Sequence, residues 1–172
     1  LTELRQAAPE TVRQQVTALY QAHALGLVRL AVLMVGDQQA AEDVVQDAFL
    51  GLYRRWSALK DPDRALPYVR SSVLNGCRMV LRARSSRDKI TLAAPDDIES
   101  AEATALLGEA NREVLAALRR LPARQREAVL LRYYLDMTED QAARAMRVSR
   151  GTVKSATSRG LAALGRLLKE ER

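Results

Sequence analysis

The segment TEDQAARAMRVSRGTVKSATSRGLAAL, Thr138 to Leu164, constrains the fold more than any other stretch of the chain. Thr138 followed by Gln141 three residues later is a capping-box pair, so a short helix is expected from there to Met146. Arg147-Val148 then reads as a turn, and Ser149 as the cap of a last helix reaching about Lys169. Ala142 and Ala143 let that second helix approach closely, Met146 and Val148 fill the angle, and Val153, Leu161 and Leu164 are expected to anchor it inward. Its outer face then carries Arg150, Thr152, Lys154, Ser155, Thr157, Ser158 and Arg159. Short polar side chains let a helix lie deep in a DNA major groove, and the cations suit phosphates and base edges. An ordinary helical hairpin with a solvated basic face would share the periodicity. It would not bring small residues, cap, turn and surface chemistry into agreement.

Upstream the pattern is helical throughout, as expected of a chain poor in aromatics (4%) and rich in Ala, Leu and Arg. Thr11 to Val35 places apolar residues mostly three or four apart, and Gly36-Asp37 closes it. A second helix, about Gln39 to Trp56, repeats Val44, Val45, Ala48, Phe49, Leu52 and Tyr53, and its polar face shows Glu42, Asp43, Gln46 and Asp47. After a loop with two prolines, a third helix from about Ala65 to Arg84 is expected to bury Val69, Val73, Val80 and Leu81. It would expose Arg70, Asn75, Arg78, Arg82 and Arg84. Periodicity fails from Ser85 to about Ser100. It returns at Asn111–Leu121, with Val114, Leu115 and Leu118 on one face, and again at Pro122–Leu135. The fold class expected is therefore all-α: two small helical domains, residues 11–87 and 111–169, joined by an acidic flexible linker, residues 88–110.

Charge supports that division. Residues 1–89 carry 13 Lys/Arg against 9 Asp/Glu, residues 90–111 none against 5, and residues 112–172 carry 14 against 7. Two basic modules and an acidic connector suit two contacts with a polyanion. Cys77 and His23 are each the only residue of their kind, so no internal disulfide and no metal site is expected, and no cofactor is implied. Cys77 reads as a buried, inert thiol, and Trp56, Met34, Met79, Met137 and Met146 as packing residues. With no phosphate loop and no nucleophile-base pair, the chain is not expected to be an enzyme. The longest apolar run, Leu30 to Val35, is far short of a bilayer span, so no membrane insertion is expected. The first residues show no leader pattern, and their lack of Met points to a trimmed or processed end. Cysteine scarcity fits a reducing, cytoplasmic setting.

Leu121-Pro122 with REAVLLRYYLDMTEDQAARAM and VSRGTVKSATSRGLAAL resembles region 4 of bacterial sigma-70 family factors, more narrowly the extracytoplasmic-function class and an actinobacterial branch of it. AEDVVQDAFLGLYRRW (Ala41–Trp56) and YVRSSVLNGCRMVLRARSSR (Tyr68–Arg87) resemble region 2 of the same class. The likeness spans about Val12 to Leu168. It implies partners: core RNA polymerase (β′ clamp and β flap), promoter DNA and an anti-sigma factor. It further implies that Asp43, Gln46 and Asp47 dock on the β′ clamp. Arg64, Tyr68, Arg70, Asn75, Arg78, Arg82 and Arg84 would serve −10 recognition and melting, with Asn75 the residue best suited to a base. Arg150, Thr152, Lys154, Ser155, Ser158 and Arg159 would serve the −35 element.

Two positions depart from the resemblance. Tyr68 stands where many relatives carry Trp. Ala156 stands where many have Arg or Gln, so a long side chain is expected to be missing from the groove face. The competing readings are a stand-alone helix-turn-helix transcriptional regulator and a protein-interaction module. The acidic second helix beside a basic third helix separates them, since a simple repressor has no evident use for both.

Overall fold

The computed structural model describes residues 9–91 and 112–170, so residues 92–110 of the expected linker lie outside the described part. Among the described residues every regular element is helical. The chain divides into two compact units, one built mainly on the first three helices and the other on the last four.

In the first unit, α1 spans Pro9–Val35, α2 Gln38–Arg55 and α3 Ala65–Thr91. Gly36 ends α1 with φ 77°, its N–H donating to the Val32 carbonyl at 2.8 Å. Glycine takes that left-handed turn without a Cβ penalty. The main seam is α2 against α3. Val45 and Leu52 on α2, and Val69, Val73, Leu74 and Cys77 on α3, are fully buried. Each such aliphatic side chain contributes roughly 1.5–3 kcal/mol by leaving water. Gly76 lets the two helices close, because a Cβ there would come within 2.7 Å of Val44 Cγ1. Tyr20 of α1 meets Phe49 of α2 edge to face, ring centroids 5.0 Å apart. By length and composition Thr11–Val35 could cross a bilayer, although its longest unbroken apolar run is short. Leu27, Leu30 and Ala31 of that helix are buried within the protein.

Several expectations change here. Residues beyond Arg84 remain helical to Thr91, because Arg87 and Lys89 are good helix formers and neither Gly nor Pro intervenes. The loss of periodicity does not mark the end of the helix. Tyr53, expected in the apolar seam, is exposed, and Trp56 is only half-buried in a 3₁₀ turn, Trp56–Ala58. Met34 and Met146 pack inside as expected, whereas Met79 is 67% exposed.

The second unit comprises α4 (Arg112–Arg120), α5 (Ala123–Val129), α6 (Glu139–Met146) and α7 (Arg150–Glu170). α7 packs on α4, α5 and α6. The end of α5 widens into a π-helical turn, Leu130–Tyr134, in which the Leu135 N–H reaches back five residues to the Leu130 carbonyl at 3.1 Å. Asp136 then adopts φ 49°, and the Arg132 guanidinium donates to the Met137 carbonyl, closing the connection to α6. Arg126 on α5 is pushed below the ordinary arginine pKa, first by burial and then by the charge of Arg119 on α4.

Candidate nucleic-acid interface

The helix pair read from Thr138–Leu164 is built as expected. The Thr138 hydroxyl accepts from the Gln141 N–H at 3.2 Å, while the Gln141 side chain accepts from the Thr138 N–H at 2.8 Å. Arg147 makes the turn in the left-handed region, φ 54°. The Ser149 hydroxyl then accepts from the Thr152 N–H at 3.1 Å and starts α7.

All six residues expected to face the −35 element, Arg150, Thr152, Lys154, Ser155, Ser158 and Arg159, are exposed on α7. Most are already tied down. Ser149 and Thr152 share a hydroxyl contact of 2.9 Å. Ser155 donates to the Thr152 carbonyl, and Arg159 folds back to donate Nε to the Ser155 carbonyl (3.2 Å) and a terminal nitrogen to Ser155 Oγ (3.3 Å). Arg150 pairs with Asp140 at 3.2 Å and Glu139 at 3.6 Å on α6. Lys154 has no such partner among the described residues. The surface is therefore a row of preset short donors and acceptors with one loose cation.

Ala156 requires a correction. It is 5% exposed and lies in step with fully buried Val153 and with Gly160, at spacings of three and seven residues. That stripe faces the unit's interior, so the groove face loses nothing by the alanine. At Gly160 a Cβ would lie 2.8 Å from Val129 Cγ2 and 3.1 Å from the Gln125 carbonyl oxygen. Small residues at 156 and 160 let α7 settle onto its supporting helices. Thr157 is likewise half-buried, its Oγ1 without a partner among the described residues. Leu161, expected to anchor inward, is instead exposed.

On α3, exposed Asn75 and Arg82 and half-buried Arg78 share one face by their spacing of three and seven. Asn75 Oδ1 accepts from Arg78 at 2.8 Å, in an exposed pair. Tyr68 falls in the same register but is half-buried, its hydroxyl 3.3 Å from where a Cβ on Gly51 of α2 would sit. Arg70 and Arg84 do not join this face. They fall in register with Val73 and Cys77, both fully buried, and are themselves half-buried. Arg64 is exposed in the 3₁₀ turn that leads into α3.

On α2, Asp43, Gln46 and Asp47 are all exposed, and Asp43 accepts from Gln39 at 3.0 Å. The sequence reading missed what adjoins them: an open groove lined by Gln46, Leu50 and Tyr53 of α2 with Val16 and Tyr20 of α1. Leu50, four residues after Gln46 and so on the same helical face, was the available signal.

This helical two-unit architecture, with a capped helix-turn-helix in the second unit, defines a class of DNA-binding initiation factors when set against known proteins. Residues 19–87 match the family described as Sigma-70 region 2, and residues 111–164 that described as Sigma-70, region 4. The chain is 34% identical over 139 residues to an RNA polymerase sigma-E factor of Streptomyces coelicolor, covering 80% of this chain and 77% of that one. It is 33% identical over 150 residues to the ECF RNA polymerase sigma factor SigM of Mycobacterium tuberculosis, covering 87% and 75%. The chain belongs to the sigma-70 family of RNA polymerase sigma factors, in the extracytoplasmic-function class. Its fold is shared by CnrH, solved in complex with the cytosolic domain of CnrY (TM-score 0.69, 22% identity, 99% and 95% of the two chains). It is also shared by the sigma factor RpoE of Bartonella quintana, solved with the anti-sigma factor NepR (TM-score 0.67, 23% identity, 90% and 99%).

Proposed function

We propose that this chain is an alternative sigma factor that binds core RNA polymerase, reads the −35 element with α7 and opens the −10 element with α3. The observation that carries this reading is the outer face of α7, where all six expected contact residues are exposed on a helix that Ser149 caps just after the left-handed turn at Arg147. On this reading residues 11–87 and 111–169 are the working modules and residues 88–110 the connector. Asp43, Gln46 and Asp47 offer an acidic-polar patch to the basic β′ clamp, and exposed Tyr133 and Leu161 offer apolar contacts to the β flap. Arg64, Asn75, Arg78 and Arg82 hold the displaced strand, with Tyr68 packed beside them. Arg70 and Arg84 act at the ends of the helix's inner stripe. The chain works in the cytoplasm, where polymerase is, supplies no catalytic group, and is held in check by an anti-sigma factor. The last point is supported by the partners named for CnrH-like and RpoE-like folds.

Core-polymerase pull-down combined with run-off transcription tests the reading. The full chain should be retained by core enzyme and should direct a discrete transcript. Asp43→Ala, Gln46→Ala and Asp47→Ala together should abolish retention while −35 duplex binding by the same chain persists. Tight promoter binding without polymerase, and no transcript with it, would favour the stand-alone regulator and sink the sigma assignment.

A further inference from the structure

Met79 is the most exposed large apolar side chain among the described residues, at 67%. It stands four residues after Asn75, one after Arg78 and three before Arg82, on the outer face of α3. Its helical neighbours on that face are thus the Asn75 amide and the Arg82 guanidinium, with Arg78 adjoining along the chain. A thioether held in water among cations serves no packing purpose in this unit, whose seam with α2 is filled from the opposite side by Val69, Val73, Leu74 and Cys77. Single-stranded nucleic acid has the complementary pattern: anionic phosphates that need cations, and unstacked bases that need an apolar surface. The aromatic candidate nearest in register, Tyr68, is half-buried against Gly51, which leaves Met79 as the apolar surface open on this face. Methionine suits such a contact because its unbranched, polarisable chain adapts to a ring face or edge.

We propose that Met79 is the apolar contact for a displaced non-template base of the −10 element, with Arg78 and Arg82 on the flanking phosphates and the Asn75 amide donor beside it. A protein partner or a lipid surface would also accept an exposed methionine. The guanidiniums of Arg78 and Arg82 on the same stretch of α3 favour the polyanion. This inference rests on the −10 assignment of α3.

The test uses holoenzyme reconstituted from core polymerase and the full chain, on a promoter fragment that the wild-type holoenzyme transcribes. Two forms of the fragment are compared, fully duplex and with the −10 region pre-opened by mismatches. Met79→Ala and Met79→Gln should each weaken binding to the pre-opened form about fivefold, the lower end of what one base stack contributes. They should also reduce permanganate-reactive thymines on the duplex form, while core binding and −35 duplex binding stay unchanged. Met79→Leu, which keeps the apolar surface, should stay within about twofold of wild type on the pre-opened form. Wild-type affinity in Met79→Ala, or equal performance of Gln and Leu, would overturn the proposal. Lost core binding would overturn it too, by making Met79 a polymerase contact. If wild-type holoenzyme shows no preference for the pre-opened form, the −10 assignment of α3 itself fails.

Discussion

The outer faces of α7 and α3 are both basic, yet they are organised in opposite ways. On α7 the polar groups are short and bound to one another: Ser149 with Thr152, Ser155 with the Thr152 carbonyl, and Arg159 with Ser155. On α3 Asn75 and Arg78 are linked along the face, and beside them an apolar side chain stands in water. Donors preset on a rigid helix suit an intact duplex, whose base edges hold fixed positions in the groove. Longer cations around an apolar surface suit a strand whose bases have left the stack. The contrast suits the two different tasks proposed for the two faces.

The largest test of that contrast is Ala156→Arg. If the stripe of Val153, Ala156 and Gly160 faces the interior, the guanidinium enters a buried site without a partner and costs roughly 3 kcal/mol. Thermal unfolding should shift down and −35 binding should fall with it. A variant as stable as wild type with tighter −35 binding would restore Ala156 to the groove face. Gly160→Val and Gly76→Val come next, each overpacking a helix crossing by about 1–3 kcal/mol. Calorimetry should show both losses. Only the Gly160 variant should also weaken binding to a −35 duplex, and equal effects of the two would blur the division of labour.

A smaller effect is expected from Ser155→Ala, which removes the hydroxyl holding one terminal nitrogen of Arg159 and leaves its bond to the Ser155 carbonyl. Affinity for the −35 duplex should drop by about 0.5–1.5 kcal/mol, the usual worth of such a hydrogen bond. In fluorescence anisotropy, the loss should be larger on the preferred sequence than on random duplex. An equal loss on both would show that Arg159 meets only phosphate. The smallest belongs to Glu139→Gln with Asp140→Gln, which releases Arg150 and removes two anions. These groups are substantially exposed, so DNA binding should tighten by less than about 1 kcal/mol at low salt and lose the gain at high salt. Weaker binding instead would mean that the pairs hold Arg150 in its working position.

How much of this was legible beforehand depends on the kind of feature. The capping box at Thr138, the turn at Arg147 and the start of α7 at Ser149 are local devices, set by residues within four positions of each other, and the structure reproduces them. The same holds for the burial of Val44, Val45, Leu52, Val69 and Val73, which follows from spacing. Features that depend on what arrives from elsewhere in the chain were not legible. Tyr53 and Met79 fit an apolar pattern but stay exposed, while Ala156 fits a polar face but is covered. Arg70 and Arg84 count as cations in a sequence, yet helical register turns them away from Asn75.

By itself, then, the sequence determined the all-helical class, the helix-turn-helix and its caps, the acidic face of α2 and the two-module layout. Each rests on short-range hydrogen bonding or on the 3.6-residue period. Tertiary structure alone decided that Ala156 and Thr157 of α7 are covered, which cations of α3 share a face and which apolar groups stay in water. Those outcomes hang on close approaches such as Gly160 on Val129 and Gly76 on Val44, and the distance between two helices is a property of the pair rather than of either sequence.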